Sequence, residues 1–259
     1  MAVARDGSVV VVDRETNRLI LFDSDLQPVR QVGGFGYGTS MFNGPTFVAW
    51  DSQLNLVVSD ENNRRVVRYN RRFDYVDEVS LYDPEEPLEF RFPSGVAVNS
   101  YGELWVADRD ANRIIVINNV GEFDRFVGDF GYTEGQLSSP EKIVIDERDQ
   151  ATVCDAGNAR IMRYDQYGNA QAPLVDEIFV YPIACALDGK RLWVLDQESG
   201  IVCFDYRGRL LFESSLQLIG DSRPLKAPSD IVLLGNDRLL ISDTGNHRLV
   251  VCRAIYEPR

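Results

Sequence analysis

The sequence predicts an all-β fold: a six-bladed β-propeller with four antiparallel strands in each blade. Three observations predict it. An anchor aspartate recurs at Asp13, Asp60, Asp108, Asp155, Asp196 and Asp243, with spacings of 47, 48, 47, 41 and 47 residues, and a period of that length marks a repeat architecture. Each full repeat holds four short runs rich in Val, Ile and Leu, separated by turn residues, which is the signature of strands. The first two runs are apolar almost without alternation, so both faces of those strands must be covered. A radial stack of sheets covers them. A helical solenoid would need stretches of 3.6-residue periodicity, and the sequence has none.

The elements of the repeat follow in order. A proline opens it, at Pro45, Pro93, Pro140, Pro182 and Pro228. The first strand comes next, as in GVAV from Gly95 or KIVI from Lys142, and then a polar turn such as Tyr101-Gly102. The second strand ends on the anchor aspartate, as in LWVAD at Asp108 and LLISD at Asp243. An Asp/Asn turn closes on an arginine five positions later: Arg18, Arg65, Arg113, Arg160 or Arg248. The third strand (RIIVI from Arg113), a turn such as Asp165–Gly168 and the fourth strand (DRFVG from Asp124) complete the unit.

Asp and Asn bond their own backbone in tight turns, and each arginine is expected to pair with a carboxylate or carbonyls of a neighbouring turn. These residues are therefore read as scaffold, since an active site is needed once and a turn six times. Blade five departs from the plan, with Ile201 where the arginine should stand. Blade boundaries are expected near 1–38, 39–86, 87–133, 134–176, 177–222 and 223–259, in a single domain. The chain starts inside the first strand of blade one and leaves only AIYEPR after the third strand of blade six. The closing strand is thus expected to be incomplete, with residues upstream of Met1 supplying it in a longer parent.

Composition bounds the function. The 259 residues are 44% hydrophobic and 26% charged, ordinary for a globular chain. No run approaches the length of a membrane span, and MAVARDGSVV lacks the features of a signal peptide. Forty acidic against 27 basic residues give a net charge of −13, which repels phosphate backbones and anionic lipid heads. The four cysteines (Cys154, Cys185, Cys203, Cys252) form no CxxC pair and lie in apolar runs, as buried thiols of a reducing, cytoplasmic compartment do. The isolated domain is expected to be monomeric.

No catalytic residue, metal or cofactor is expected. His247 is the sole histidine, which excludes a three-histidine metal site, and it aligns with Asn17, Arg64, Asn112 and Ala159 as an exposed turn residue. GGFGYG, residues 33–38, misses the dinucleotide spacing. Asp108-Arg-Asp110-Ala-Asn112 begins like a calcium loop, but Arg113 stands where glycine is required and Asn119 where glutamate is. The arginines of NNRRVVRYNRR, residues 62–72, fall in turns on opposite faces, so they form no single patch for RNA. The candidate partner-binding face is instead the one bearing the anchor turns and inter-blade loops. It comprises Phe35, Tyr37, Tyr82, Phe130 and Tyr132 with Glu61, Asn62, Arg64, Arg109, Asp110 and His247, aromatics beside charge being common in protein interfaces.

The P-x-G-V-A-V…G-x-L-x-V-A-D-x-x-x-N-R-I pattern from Pro93 to Ile114 resembles the NHL repeat, as does GDFGYTEGQLSSP from Gly128 to Pro140. GPTFVAW at Gly44 looks most like the C-terminal NHL domain of tripartite-motif ubiquitin ligases. That resemblance implies a non-catalytic propeller that recognises proteins as ligase substrates, with a RING, a B-box and an oligomerising coiled coil upstream. Single-stranded RNA binding, known in some such domains, is the first alternative and is disfavoured by the charge. A propeller hydrolase or bacterial sensor module is the second.

Overall fold

The computed structural model describes residues 1–80, 89–174, 178–218, 220–235 and 237–253. They form six antiparallel sheets in chain order. The first holds β1 (Ala2–Val3), β2 (Val9–Asp13), β3 (Arg18–Phe22) and β4 (Pro28–Gly33). The second holds β5 (Pro45–Trp50), β6 (Leu56–Asp60), β7 (Arg65–Tyr69) and β8 (Tyr75–Val79). The third holds β9 (Pro93–Val98), β10 (Leu104–Asp108), β11 (Arg113–Ile117) and β12 (Phe123–Val127). The fourth holds β13 (Pro140–Ile145), β14 (Ala151–Asp155), β15 (Arg160–Tyr164) and β16 (Ala170–Leu174). The fifth holds β17 (Pro182–Leu187), β18 (Arg191–Asp196), β19 (Gly200–Asp205) and β20 (Leu210–Ser214). The sixth holds β21 (Pro228–Gly235), β22 (Arg238–Asp243) and β23 (Arg248–Arg253), three strands among the described residues. No described helix is long and apolar enough to cross a membrane.

The ring is closed by packing of first strands. β5 packs on β9, β9 on β13, β13 on β17 and β17 on β21, while β1 touches both β21 and β5. This order makes the fold a six-bladed propeller. Hydrophobic side chains fill the gaps between consecutive sheets as six separate clusters. Trp105, Ile114 and Met162 are among those filling the gap between the third and fourth sheets, and Trp193, Ile201 and Ile241 among those between the fifth and sixth. Strands near the axis are covered on both sides, and every residue of β6, β10 and β14 is buried. The outermost strand β4 is almost wholly exposed. That gradient is why the inner runs are continuously apolar in the sequence and the outer ones are not.

Gly95 marks a close approach between sheets. A Cβ there would stand 2.1 Å from the Glu141 carbonyl oxygen and 2.8 Å from the Ile143 nitrogen, so β9 lies against the backbone of β13. The junction of the sixth and first sheets is the thinnest. Its fully buried residues are Met1, Val9, Val232 and Leu240, whereas each of the other gaps buries eight or more among the described residues.

A candidate partner-binding face

The anchor turns divide into two kinds, set by the place of one asparagine. In the second, fourth and sixth sheets the asparagine stands three positions after the aspartate, at Asn63, Asn158 and Asn246. Each of these turns is one short 3-10 turn: Glu61–Asn63, Ala156–Asn158 and Thr244–Asn246. The asparagine amide donates to the aspartate Oδ2 at 2.7, 2.9 and 2.8 Å. The arginine Nε donates to the same oxygen, from Arg65 at 2.8 Å, Arg160 at 2.7 Å and Arg248 at 2.6 Å. The aspartate Oδ1 accepts the backbone N–H seventeen residues upstream, from Asn43, Ser138 or Lys226. The next turn residue is left-handed, with φ of 52° at Arg64, 50° at Ala159 and 52° at His247. His247 is exposed there because the turn uses only its backbone.

In the first and third sheets the asparagine stands one position later and itself takes the left-handed conformation, φ 56° at Asn17 and 53° at Asn112. Its Oδ1 accepts an N–H from the following blade, Gly44 at 2.7 Å and Ser139 at 2.8 Å. The arginines of these two sheets are placed differently. Arg18 reaches Gln31 at 3.5 Å from an exposed position. The Arg113 guanidinium lies 3.8 Å over the Phe126 ring. Asp13 accepts the Thr16 N–H, and Asp108 accepts those of Arg91, Phe92 and Ala111. Asp196, with no arginine after it, accepts four backbone N–H groups, from Val180, Tyr181, Glu198 and Ser199.

Arg65 and Arg160 reach beyond their aspartates and pin the preceding inter-blade loops. Arg65 donates to the carbonyls of Tyr37, Gly38 and Met41 at 3.2, 2.9 and 2.8 Å, and to Glu78 at 2.7 Å. Arg160 donates to the carbonyls of Tyr132, Thr133 and Gln136 at 2.7, 3.0 and 2.9 Å. Asn63 and Asn158 bond the carbonyls of Gly36 and Gly131. The buried phenols of Tyr69 and Tyr164 bond those of Thr39 and Gly135, and burial pushes both phenols well above their usual pKa. With their carbonyls tied inward, the side chains point out: Phe35 is 68% exposed, Tyr37 72%, Phe130 66% and Tyr132 80%. Two aromatic pairs thus stand on equivalent loops, after the first and third sheets.

The other candidates disperse. Glu61 is not on the exposed face: its carboxylate is buried and bonded by Arg14 at 2.5 and 3.1 Å. Burial raises its pKa, against the pull of Arg14. Asn62 and Asp110 are exposed. Arg64 pairs with Glu89 at 3.3 Å. Arg109 pairs with Glu141 at 3.3 Å and stacks 4.1 Å over Phe92. Tyr82 lies outside the described residues. Of the arginines in 62–72, Arg65 is the loop clamp, Arg68 pairs with Asp77 at 3.1 Å, and Arg71 and Arg72 sit in the turn from Asn70 to Asp74 at the opposite end of the strands. Among the described residues no three His, Cys, Asp or Glu side chains are grouped to hold a metal.

Several of these residues escaped the sequence reading. Tyr69 and Tyr164 each fall four positions after a clamping arginine, a spacing that marks them once the clamp is known. The sequence does not single out Arg14, yet, like Arg109, Gln197 and Thr244 at the same place in their repeats, it lines the mouth of the axis. Lys142 and Asp230 are charges inside otherwise apolar first strands, an irregularity visible in the sequence. Lys142 Nζ bonds Asp230 Oδ1 at 2.6 Å and the Ile231 carbonyl at 2.9 Å, both groups buried. The pair joins the fourth sheet to the sixth across the axis.

The class defined by this ring and its pinned loops is the six-bladed β-propeller, and within it residues 90–117 and 225–252 match the NHL repeat. The chain is similar to Protein brain tumor of Drosophila melanogaster, 28% identical over 150 residues, which are 53% of this chain and 13% of that protein. It therefore spans a small part of that relative's length. Its fold is also that of a streptogramin B lyase structure, with a TM-score of 0.68 at 14% identity over 99% of this chain and 82% of the other. A catalytically inactive virginiamycin B lyase from Staphylococcus aureus, solved with quinupristin, gives 0.70 at 15% over 98% and 80%. At such identities the likeness is one of fold.

Proposed function

We propose that this propeller is a non-catalytic protein-recognition module, serving as the cytoplasmic substrate-recognition domain of a tripartite-motif ubiquitin ligase. The observation that carries the reading is the pair of pinned loops. Exposed aromatics cost a monomer solubility, and here Phe35, Tyr37, Phe130 and Tyr132 are held out by clamps repeated at two junctions. Rigid Tyr side chains give contact area at little entropic cost, and Tyr is enriched among interface hot spots. The net charge of −13 points to protein rather than nucleic acid, and the resemblance to tripartite-motif proteins supplies the ligase context.

The test is capture of partners from lysate by the wild-type domain and by the triple variant Tyr37→Ala, Phe130→Ala, Tyr132→Ala. These side chains are solvent-exposed, so the melting temperature should hold while the bound set is lost. A bound set unchanged in the triple variant would refute this face as the recognition surface.

A further inference from the structure

The axis of the propeller opens on the aromatic face as a cavity of about 690 Å³, well within the range of small-molecule sites. A second cavity of about 340 Å³ lies at the other end of the axis. Lys142 lines the smaller and Asp230 the larger, so their ion pair stands where the two meet and floors the mouth.

Around the mouth, Arg14, Glu61, Arg109 and Glu141 form one electrostatic cluster built from the first four sheets. The two members of each ion pair are unequally accessible. The Arg14 side chain is 51% exposed and that of Glu61 is sealed; Arg109 is likewise more exposed than Glu141. Hydrogen-bond valence points the same way. Glu61 receives both Arg14 nitrogens, Glu141 receives Arg109, and Asp230 receives Lys142, the Met1 amino group and the Ile231 N–H. A guanidinium has five N–H donors, and among the described residues Arg14 bonds only Glu61 and Arg109 only Glu141. The paired carboxylates of the mouth are thus engaged, while donors remain unspent. The same cavity runs outward along the thin junction of the sixth and first sheets, where Ile20, Phe22 and Leu249 line it.

We propose that this axial mouth binds an organic carboxylate on an apolar body, its carboxylate held between Arg14 and Arg109 and its body lying against Ile20, Phe22 and Leu249. Guanidinium groups recognise carboxylates through paired N–H donors, and an aliphatic body fits the apolar wall of Ile20, Phe22 and Leu249 along the thin junction. The carboxylate comes either from a small molecule or from the C-terminus of a peptide. The site is independent of the aromatic loops, so it stands or falls apart from the recruitment reading.

Isothermal titration calorimetry of the intact chain decides it, with four probes: octanoate, octylamine, an acetylated hexapeptide ending in a free leucine carboxylate, and the same peptide amidated. Asp13 and Glu15 at the rim make octylamine the relevant opposite charge. Octanoate or the free-acid peptide should bind with a dissociation constant of about 1 mM or tighter; which of the two binds identifies the source. The neutral pair Arg14→Gln with Glu61→Gln should weaken it tenfold or more with the fold kept, since Arg14→Gln alone would strand the sealed Glu61 carboxylate. Because Arg109→Gln alone strands a buried carboxylate, the neutral pair Arg109→Gln with Glu141→Gln is the second variant, and it should weaken binding equally with the fold kept. The Tyr37→Ala, Tyr132→Ala double variant should bind as wild type. No binding of either carboxylate overturns the proposal, as does equal binding of the amidated peptide or of octylamine, or affinity untouched in both arginine variants.

Discussion

Arg160 and Arg18 occupy the same place in the repeat, yet they should differ sharply in what their removal costs. Arg160 is buried against the fully buried Asp155 and holds three loop carbonyls. Arg160→Ala leaves that carboxylate uncompensated, and breaking a buried pair in this way costs about 3–5 kcal/mol. Arg18 is exposed with one long contact to Gln31, so Arg18→Ala should stay within about 0.5 kcal/mol of wild type. Urea denaturation of both variants checks the contrast, and equal losses would refute the division. The pH response is also set at this scale. Burial raises the carboxyls of Asp60, Glu61, Asp108, Glu141 and Asp155 above their usual range, with hydrogen bonds and nearby arginines opposing it. At Asp188, Asp230 and Asp243 burial also pushes upward, but hydrogen bonds and neighbouring cations prevail and lower them. A raised folded pKa means that the native state takes up protons before the unfolded chain does. Its stabilising contribution is complete below the unfolded pKa and lost as pH rises through the folded one. The melting temperature should therefore rise as pH falls from neutrality toward the ordinary carboxylate range, and Glu141→Gln should flatten that rise. A melting temperature falling steadily over that window would contradict the assignment.

At the scale of elements, the strands were legible and their tie-points were not. Continuous apolar runs and glycine turns place four strands per repeat because burial on both faces is written into residue type, as in β10 and β14. Which arginine clamps a loop depends on a one-position shift of asparagine, and its meaning appears only when the turn is folded: three after the aspartate, it closes a 3-10 turn; four after, it bonds the next blade. Phe35 and Tyr132 are exposed, as a partner-binding face requires, but the sequence leaves packing between blades equally open, since an aromatic in a glycine-rich loop reads alike whether it packs or projects. Gly95 shows the same limit. In GVAV it looks like an ordinary strand residue, but the sheets meet through it. Gly95→Ala should destabilise by about 3 kcal/mol or more, because its Cβ would meet backbone of β13 that cannot move without parting two blades. Gly189→Ala serves as the control: nothing lies within 4 Å of its Cβ. Its positive φ alone should cost about 1–2 kcal/mol. Thermal melts that rank the two the other way would show that the β9–β13 contact relaxes freely.

For the whole molecule, the repeat period alone was enough to give the number of blades, whereas the axial cluster required the ring to be closed, since Lys142 and Asp230 lie 88 residues apart. Closure also decides how charge is presented. Affinity for RNA rests largely on phosphates neutralised by arginine and lysine, and it falls steeply with salt. Here the net charge is −13, and the most basic segment is spent internally: Arg64 on Glu89, Arg65 on Asp60 and Glu78, Arg68 on Asp77. Those carboxylates offset the charge a phosphate would need, and the remaining Arg71 and Arg72 face away from the anchor turns. Fluorescence anisotropy with short random single-stranded RNAs should therefore give a dissociation constant no tighter than about 10 µM at physiological salt, the range of non-specific binding. Arg64→Ala with Arg68→Ala should leave it unchanged within error, because two guanidiniums already paired with carboxylates on a chain of net charge −13 add little to phosphate binding. Submicromolar binding that disappears in this double variant would mean that the ion pairs open for RNA, and it would move the function from protein recognition to RNA recognition.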